Sequence, residues 1–189
     1  MWGYGLNLCY VLLLVLLSPY LLYGAIRKKK YRHGWAEKFL GYCPQRLTKN
    51  RCIWLHAVSV GEVQLLAPII EQIAQRDSTV ECVISTTTLT GRALAEKKYP
   101  QHIVFYCPLD FTWAVRNAIG RIRPDLLVLS ELELWPNLIF STHRLKIPTA
   151  VINGRLGEKS FRGYRWLQPL IRNMLRCLYL IAVQNKEYA

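Results

Sequence analysis

From Arg51 onward, short β-branched apolar runs alternate with segments of helix length, and this alternation limits the fold more than any other feature of the chain. The runs are Cys52 to Ala57, Val80 to Thr86, Ile103 to Tyr106, Leu126 to Ser130, Thr149 to Ile152 and Tyr179 to Val183. Between them the spacing predicts helices over Val63 to Arg76, Thr90 to Lys98, Trp113 to Arg121, Pro136 to Arg144 and Phe161 to Arg176. Strands joined by helix-length crossovers pair in parallel, with the helices covering both faces of the sheet. The expectation is therefore an α/β domain over residues 51–189 built on a doubly wound parallel sheet. Pro68 conflicts locally with this pattern, since it falls inside the first of these helices and predicts a kink or a late start there.

Ahead of that domain, Leu6 to Ile26 holds no charged residue, and Tyr10 to Leu17 is apolar all round. Residues 1–26 are thus read as a membrane anchor, spanning or deeply inserted. Arg27, Lys28, Lys29, Lys30 and Arg32 follow it, an order that places the bulk of the chain on the cytoplasmic side. A cleaved signal peptide has its basic residues before the apolar run, the reverse of what stands here. A buried core helix is the other competitor, and Pro19 weakens a straight span. Residues 27–50 mix basic residues with Tyr31, Trp35, Phe39 and Tyr42, which beside an anchor reads as a collar on anionic lipid.

Charge narrows the partners. Lys and Arg number 25 against 12 Asp and Glu, a formal net charge of +13, which suits a polyanion: nucleic acid, an anionic membrane or a phosphorylated substrate. The six cysteines are widely spaced, with no C-x-x-C pair and no histidine at metal-ligand spacing, and read as reduced thiols, Cys52 and Cys82 as small buried hydrophobes inside apolar runs. No G-x-G-x-x-G, no Walker phosphate loop and no G-x-S-x-G occurs, so dinucleotide, P-loop and serine-hydrolase chemistry have no support. His56 at a strand end reads as a structural histidine.

Polar clusters follow the predicted strands, at the edge where a doubly wound sheet binds its ligands. Ser59-Val60-Gly61-Glu62 reads as a glycine turn delivering a carboxylate to the start of a helix. Ser85 to Thr88 with Thr90-Gly91 could hold an anion at a helix start or simply cap it. Ser130-Glu131-Leu132-Glu133 sets two carboxylates after a buried strand, where they need basic partners or a function. Asn153-Gly154-Arg155 follows the next strand and offers a cation.

In this order the segments resemble one family, the 3-deoxy-D-manno-octulosonic acid (Kdo) transferases of lipopolysaccharide synthesis. The residues that carry the likeness are His56 to Glu62, Ser85 to Thr88 with Thr90-Gly91, Pro108-Leu109-Asp110, Glu133 to Ile139, and Asn153 to Leu156. Gly34-Trp35, Glu37-Lys38-Phe39 and Gly41-Tyr42 add to it. The resemblance implies the Rossmann-like N-terminal acceptor half of a GT-B glycosyltransferase, preceded by a membrane helix, and an inverting transfer of Kdo from CMP-Kdo to a lipid A precursor. The site would lie at the cytoplasmic face of the inner membrane.

By motif position Glu62 is the expected general base, with Ser59, Gly61, Thr87, Thr88, Glu131, Glu133, Asn153 and Arg155 as acceptor-binding or supporting residues. No metal and no cofactor is expected besides the donor substrate CMP-Kdo, and no nucleic acid. Gly154 and Gly157 depart from the family's N-A-R-L-S run. The chain ends near the close of the acceptor half, so CMP-Kdo is expected to bind through a C-terminal domain not present in these 189 residues. A truncated, non-catalytic, membrane-bound acceptor-binding module is the alternative. A membrane-tethered nucleic-acid binder rests on charge alone.

Overall fold

All six apolar runs form strands. The computed structural model describes residues 2–27, 33–154 and 167–184, with β1 (Cys52–His56), β2 (Glu81–Thr86), β3 (Ile103–Tyr106), β4 (Leu126–Ser130), β5 (Thr149–Gly154) and β6 (Leu180–Val183). The helices are α1 (Trp2–Arg27), α2 (Trp35–Leu40), α3 (Val60–Arg76), α4 (Leu89–Lys98), α5 (Thr112–Ile122), α6 (Pro136–Arg144) and α7 (Gln168–Cys177). The helix predicted from Phe161 is described only from Gln168. Arg155 lies outside the described residues, as does the basic run Lys28 to Arg32.

One sheet holds the six strands in the order β3-β2-β1-β4-β5-β6, and every neighbouring pair is parallel. The chain winds outward from β1 to β3, returns to lay β4 beside β1, and winds outward again to β6. Successive strand residues point to opposite faces, so two apolar layers form. Trp54, Val83, Phe105, Leu127, Leu129 and Val151 pack on one face with side chains of α5, α6 and α7. Leu55, Cys82, Ile84 and Val128 pack on the other with α3 and α4. Each fully buried large side chain contributes on the order of 1.5–3 kcal/mol, which explains why the central strands were readable as near-continuous apolar runs.

The cysteines behave as small apolar residues. Cys43, Cys52, Cys82 and Cys107 are buried, and burial pushes the Cys43 and Cys52 thiols up to about 12 and that of Cys82 to about 11.

Pro68 neither delays nor ends α3, which begins at Val60 and runs through it. A proline removes the hydrogen bond to the carbonyl four residues back, here that of Gln64, and Lys98 Nζ on α4 donates to that oxygen at 3.5 Å. One carbonyl earlier, Val63 accepts from the Tyr99 hydroxyl at 2.9 Å. The same repair occurs around Pro19 in α1, where the Ser18 hydroxyl donates to the Val15 carbonyl at 2.7 Å. Both helices thus tolerate an internal proline because a nearby side chain serves the orphaned oxygen.

The segment read as a membrane anchor forms α1, but among the described residues no helix is long and apolar enough to cross a membrane. Its first turns are committed to the protein body. Asn7 is buried, donates to Thr112 Oγ1 at 2.6 Å and accepts from the Thr112 backbone N–H at 3.1 Å. The Tyr10 hydroxyl donates to Asp110 at 3.0 Å. A polar, hydrogen-bonded docking of this kind takes three turns of the helix out of any span. Beyond it, Leu12, Leu13, Val15, Leu16, Leu17 and Tyr20 stand exposed.

The residues that follow wrap α5. Gly34 and Gly41, both with left-handed backbones, bracket the short α2. Trp113 Nε1 and Asn117 Nδ2 on α5 donate to the carbonyls of Phe39 and Leu40. Further on, the buried Arg46 donates to the carbonyls of Ile122, Asn50 and Arg123.

Candidate functional site

In a 3-2-1-4-5-6 sheet the strand order reverses between β1 and β4, and the crevice beyond their C-terminal ends is where ligands bind. The segments that leave those two strands carry Glu62 and Glu133. Glu62 sits at the third position of α3 and closes a capping box. Its Oε2 accepts from the Val58 N–H at 2.9 Å, and its Oε1 accepts from the Ser59 N–H at 3.2 Å and the Ser59 hydroxyl at 2.7 Å. The Glu62 N–H in turn approaches Ser59 Oγ at 3.4 Å. A carboxylate offers about four acceptor positions, so this buried group keeps one free. Gly61 is not the turn glycine expected from the sequence: it lies in the first turn of α3 with an ordinary helical backbone.

The threonine cluster after β2 is a cap. Thr88 Oγ1 accepts from the Gly91 N–H at 3.0 Å and donates to the Val58 carbonyl at 3.0 Å, so one hydroxyl starts α4 and clamps the β1–α3 loop to it. A Cβ on Gly91 would stand 2.7 Å from that hydroxyl, which is why glycine occupies the position. Thr87 is half-buried beside it. Beneath this loop, Ser85 Oγ accepts from Trp54 Nε1 at 2.7 Å and lies 2.9 Å from His56 Nδ1. Burial depresses the His56 pKa to about 4, keeping the imidazole neutral, as suits the structural histidine read from the sequence.

After β4 the backbone turns sharply at Glu131, whose φ of 66° is left-handed, and its N–H donates to the Ile152 carbonyl of β5 at 2.9 Å. That conformation costs a non-glycine residue roughly 1–2 kcal/mol. Glu133 follows, half-buried, while Leu132, Leu134 and Trp135 on the same loop pack against the core. Burial raises the Glu133 pKa first, and the negative charges of Glu62 and Glu131 raise it further. Glu133 therefore feels the charges of two other carboxylates near the switch point. Asn153, also left-handed at φ 56°, closes β5 and accepts from Gln184 Nε2 at 2.7 Å, tying the end of β5 to that of β6. It contributes to the outer rim of the same edge.

Asp110 carried no role in the sequence reading beyond its place in a motif. Its carboxylate accepts the N–H groups of Asn137 and Leu138 at 2.9 Å each, capping α6, whose own N-cap residue Trp135 supplies no side-chain acceptor. The backbone oxygen of Asp110 also accepts from Asn137 Nδ2. With Tyr10 donating to the same carboxylate, three distant segments meet on one buried group, and burial lifts its pKa to about 6. The available signal was the pairing of Pro108-Leu109-Asp110 with a helix that opens Trp-Pro-Asn and cannot cap itself.

A doubly wound parallel sheet that reverses direction between β1 and β4 defines an α/β domain of the Rossmann type. Among solved structures, a Listeria monocytogenes protein assigned as a UDP-N-acetylglucosamine 2-epimerase shares this fold, with a TM-score of 0.52 and 12% identity over 74% of this chain and 40% of that one. The family model of the 3-deoxy-D-manno-octulosonic-acid transferases (kdotransferases) matches residues 33–189, and the chain belongs to that family. It is 32% identical to the 3-deoxy-D-manno-octulosonic acid transferase of Chlamydia pneumoniae over 84% of its own length and 37% of the relative's. Against the enzyme of the same name from Haemophilus influenzae the figures are 30% identity over 97% and 42%. The chain thus spans well under half the length of these relatives.

Proposed function

We propose that this chain is the acceptor-binding half of a glycosyltransferase that moves Kdo from CMP-Kdo to a lipid A precursor, with inversion at the anomeric carbon. The observation that carries the reading is the placement of Glu62 and Glu133 on the segments that leave β1 and β4 at the switch point, with the charge of Glu62 bearing on Glu133, in a chain of this family. In the reaction an acceptor hydroxyl oxygen bonds to the anomeric carbon as the bond to the CMP phosphate breaks. Glu62 takes the hydroxyl proton through its one free acceptor position, and CMP leaves with the bonding electrons. Ser59 and the Val58 N–H hold the carboxylate in place. Thr87 and Thr88 fix the loop above it, Gly61 leaves the first turn of α3 open to the acceptor, Asn153 lines the rim, and Arg155 is assigned by its place in the motif to help position an anionic ligand.

The remaining parts of this reading are CMP-Kdo binding through a C-terminal domain of a GT-B architecture and action at the cytoplasmic face of the inner membrane. The exposed apolar turns of α1 would rest in the anionic membrane surface, held at partial depth because its first turns stay docked on the protein. Glutamine also serves at the third position of a capping box, so Glu62→Gln keeps the cap and removes the base. In the full-length protein, assayed for transfer to lipid IVA, it is expected to lower turnover by about 10²–10⁴, with a lowered but still cooperative melting transition because the amide nitrogen faces a donor that the carboxylate accepted. Wild-type turnover by Glu62→Gln, together with loss of turnover by Glu133→Gln, would move the base to Glu133, whose pKa is raised by burial and by the charge of Glu62.

A further inference from the structure

Away from the carboxylate cluster, a groove of about 600 Å³ runs along the outer side of α6. Its floor is one stripe of that helix, Asn137, Phe140, Ser141 and Arg144, at the spacing that puts residues on a single face. Thr112 and Arg116 of α5 form one wall, and Asn173, Arg176 and Cys177 of α7 form the other. Gly3 of α1 closes the end near the strand C-termini, so close that a Cβ there would meet Thr112 at 2.8 Å.

Among the described residues, three arginines and His143 line this groove and no carboxylate does. Several other guanidinium groups are held internally: Arg46 and Arg123 on backbone carbonyls, Arg121 on the Cys43 carbonyl, Arg92 on Glu37 and Glu96. Among the described residues, Arg116, Arg144 and Arg176 make no ion pair with a carboxylate. Arg144 and Arg176 lie in the last turns of their helices, where a cation is favoured by the helix dipole. The dipole explains neither why both line the same groove nor Arg116, which lies in the second turn of α5.

From this geometry we infer a binding site for a phosphate-bearing anion, formed by Arg116, Arg144 and Arg176 with Asn173 and Ser141 as neutral donors. Guanidinium forks match phosphate oxygens in pairs, and three converging from three helices suit a phosphate or diphosphate better than a carboxylate. The site lies on the flank of α6, off the switch-point crevice, and does not rest on the transferase reading. One end of it is made by α1, so an occupant also strengthens the docking of that helix. Phosphate of this chemistry can be free in solution or displayed on a lipid headgroup.

The test uses the whole chain and an Arg116→Gln, Arg144→Gln, Arg176→Gln variant, all three at exposed positions where folding is little affected. Calorimetric titration with inorganic pyrophosphate and co-sedimentation with phosphatidylglycerol vesicles are run side by side, with Lys97→Gln as a control for general charge. Pyrophosphate binding weakened about tenfold or more by the triple change supports a site for the free anion. A loss confined to vesicles supports a headgroup site. Wild-type behaviour of the triple variant in both arms, or equal losses in the Lys97→Gln control, overturns the inference.

Discussion

His56 and Asp110 are both buried ionisable residues, and they pull stability in opposite directions with pH. The folded state depresses His56 to about 4 from an ordinary 6.5, so its contribution is present above pH 6.5 and is lost as pH falls through 4. Asp110 is raised to about 6 from 3.8, so its contribution is present below 3.8 and is lost as pH rises through 6. Each is worth on the order of 3 kcal/mol, and over the shared window they oppose each other. Urea midpoints of the native protein should therefore change little between about pH 4 and pH 6 on account of this pair. His56→Gln should become more stable on acidification and Asp110→Asn less so; parallel profiles for the two variants would refute the opposition. Asp110→Asn should also lower stability at neutral pH by about 1–3 kcal/mol, since an amide cannot accept from Asn137, Leu138 and Tyr10 at once. The two residues differ in legibility as well. His56 ends an apolar run, so its burial was readable from the sequence. The burial of Asp110 is made by partners 100 and 27 residues away, which no local pattern records.

At the scale of elements, what could be read followed what is local. The strands were found because parallel sheets covered on both faces need unbroken apolar runs. Ser59-x-x-Glu62 spells a capping box within four residues, and α3 accordingly starts three residues before the predicted position. The left-handed turns at Glu131 and Asn153 were not readable, because neighbouring strands impose them through contacts such as that from the Glu131 N–H to the Ile152 carbonyl. Residues 34–41 show a related effect: their composition did not reveal that α2 is fixed to α5. Gly41 has φ 70°, its N–H donates to the Glu37 carbonyl, and a Cβ there would stand 1.9 Å from the Ala114 oxygen. Gly41→Ala is expected to destabilise by more than about 2 kcal/mol, read as a lowered thermal midpoint. A midpoint within error of the native one would mean that α2 detaches from α5 without cost.

Over the whole molecule the net charge is +13; among the described residues some cations, such as Arg46 and Arg92, are built into the fold and others face solvent, and α1 adds an exposed apolar surface. Leu12, Val15 and Leu16 are 60%, 65% and 76% exposed, whereas Asn7 on the same helix is 8% exposed and hydrogen-bonded to Thr112. The two halves of α1 therefore do separate work: the first holds the helix to α5 and α6, and the second presents leucines with no protein cover among the described residues. Such a surface is costly in water and stable against the acyl boundary of a membrane, where each buried CH₂ is worth about 0.8 kcal/mol. Leu12→Asp with Leu16→Asp should leave the thermal midpoint nearly unchanged, because neither side chain packs on the body. The same pair should abolish co-sedimentation with anionic vesicles. Asn7→Leu should do the opposite, loosening the docked half while vesicle binding persists. Retention of vesicle binding by the double aspartate variant would show that the basic surface alone holds the protein to the membrane, and that the exposed half of α1 covers some other partner.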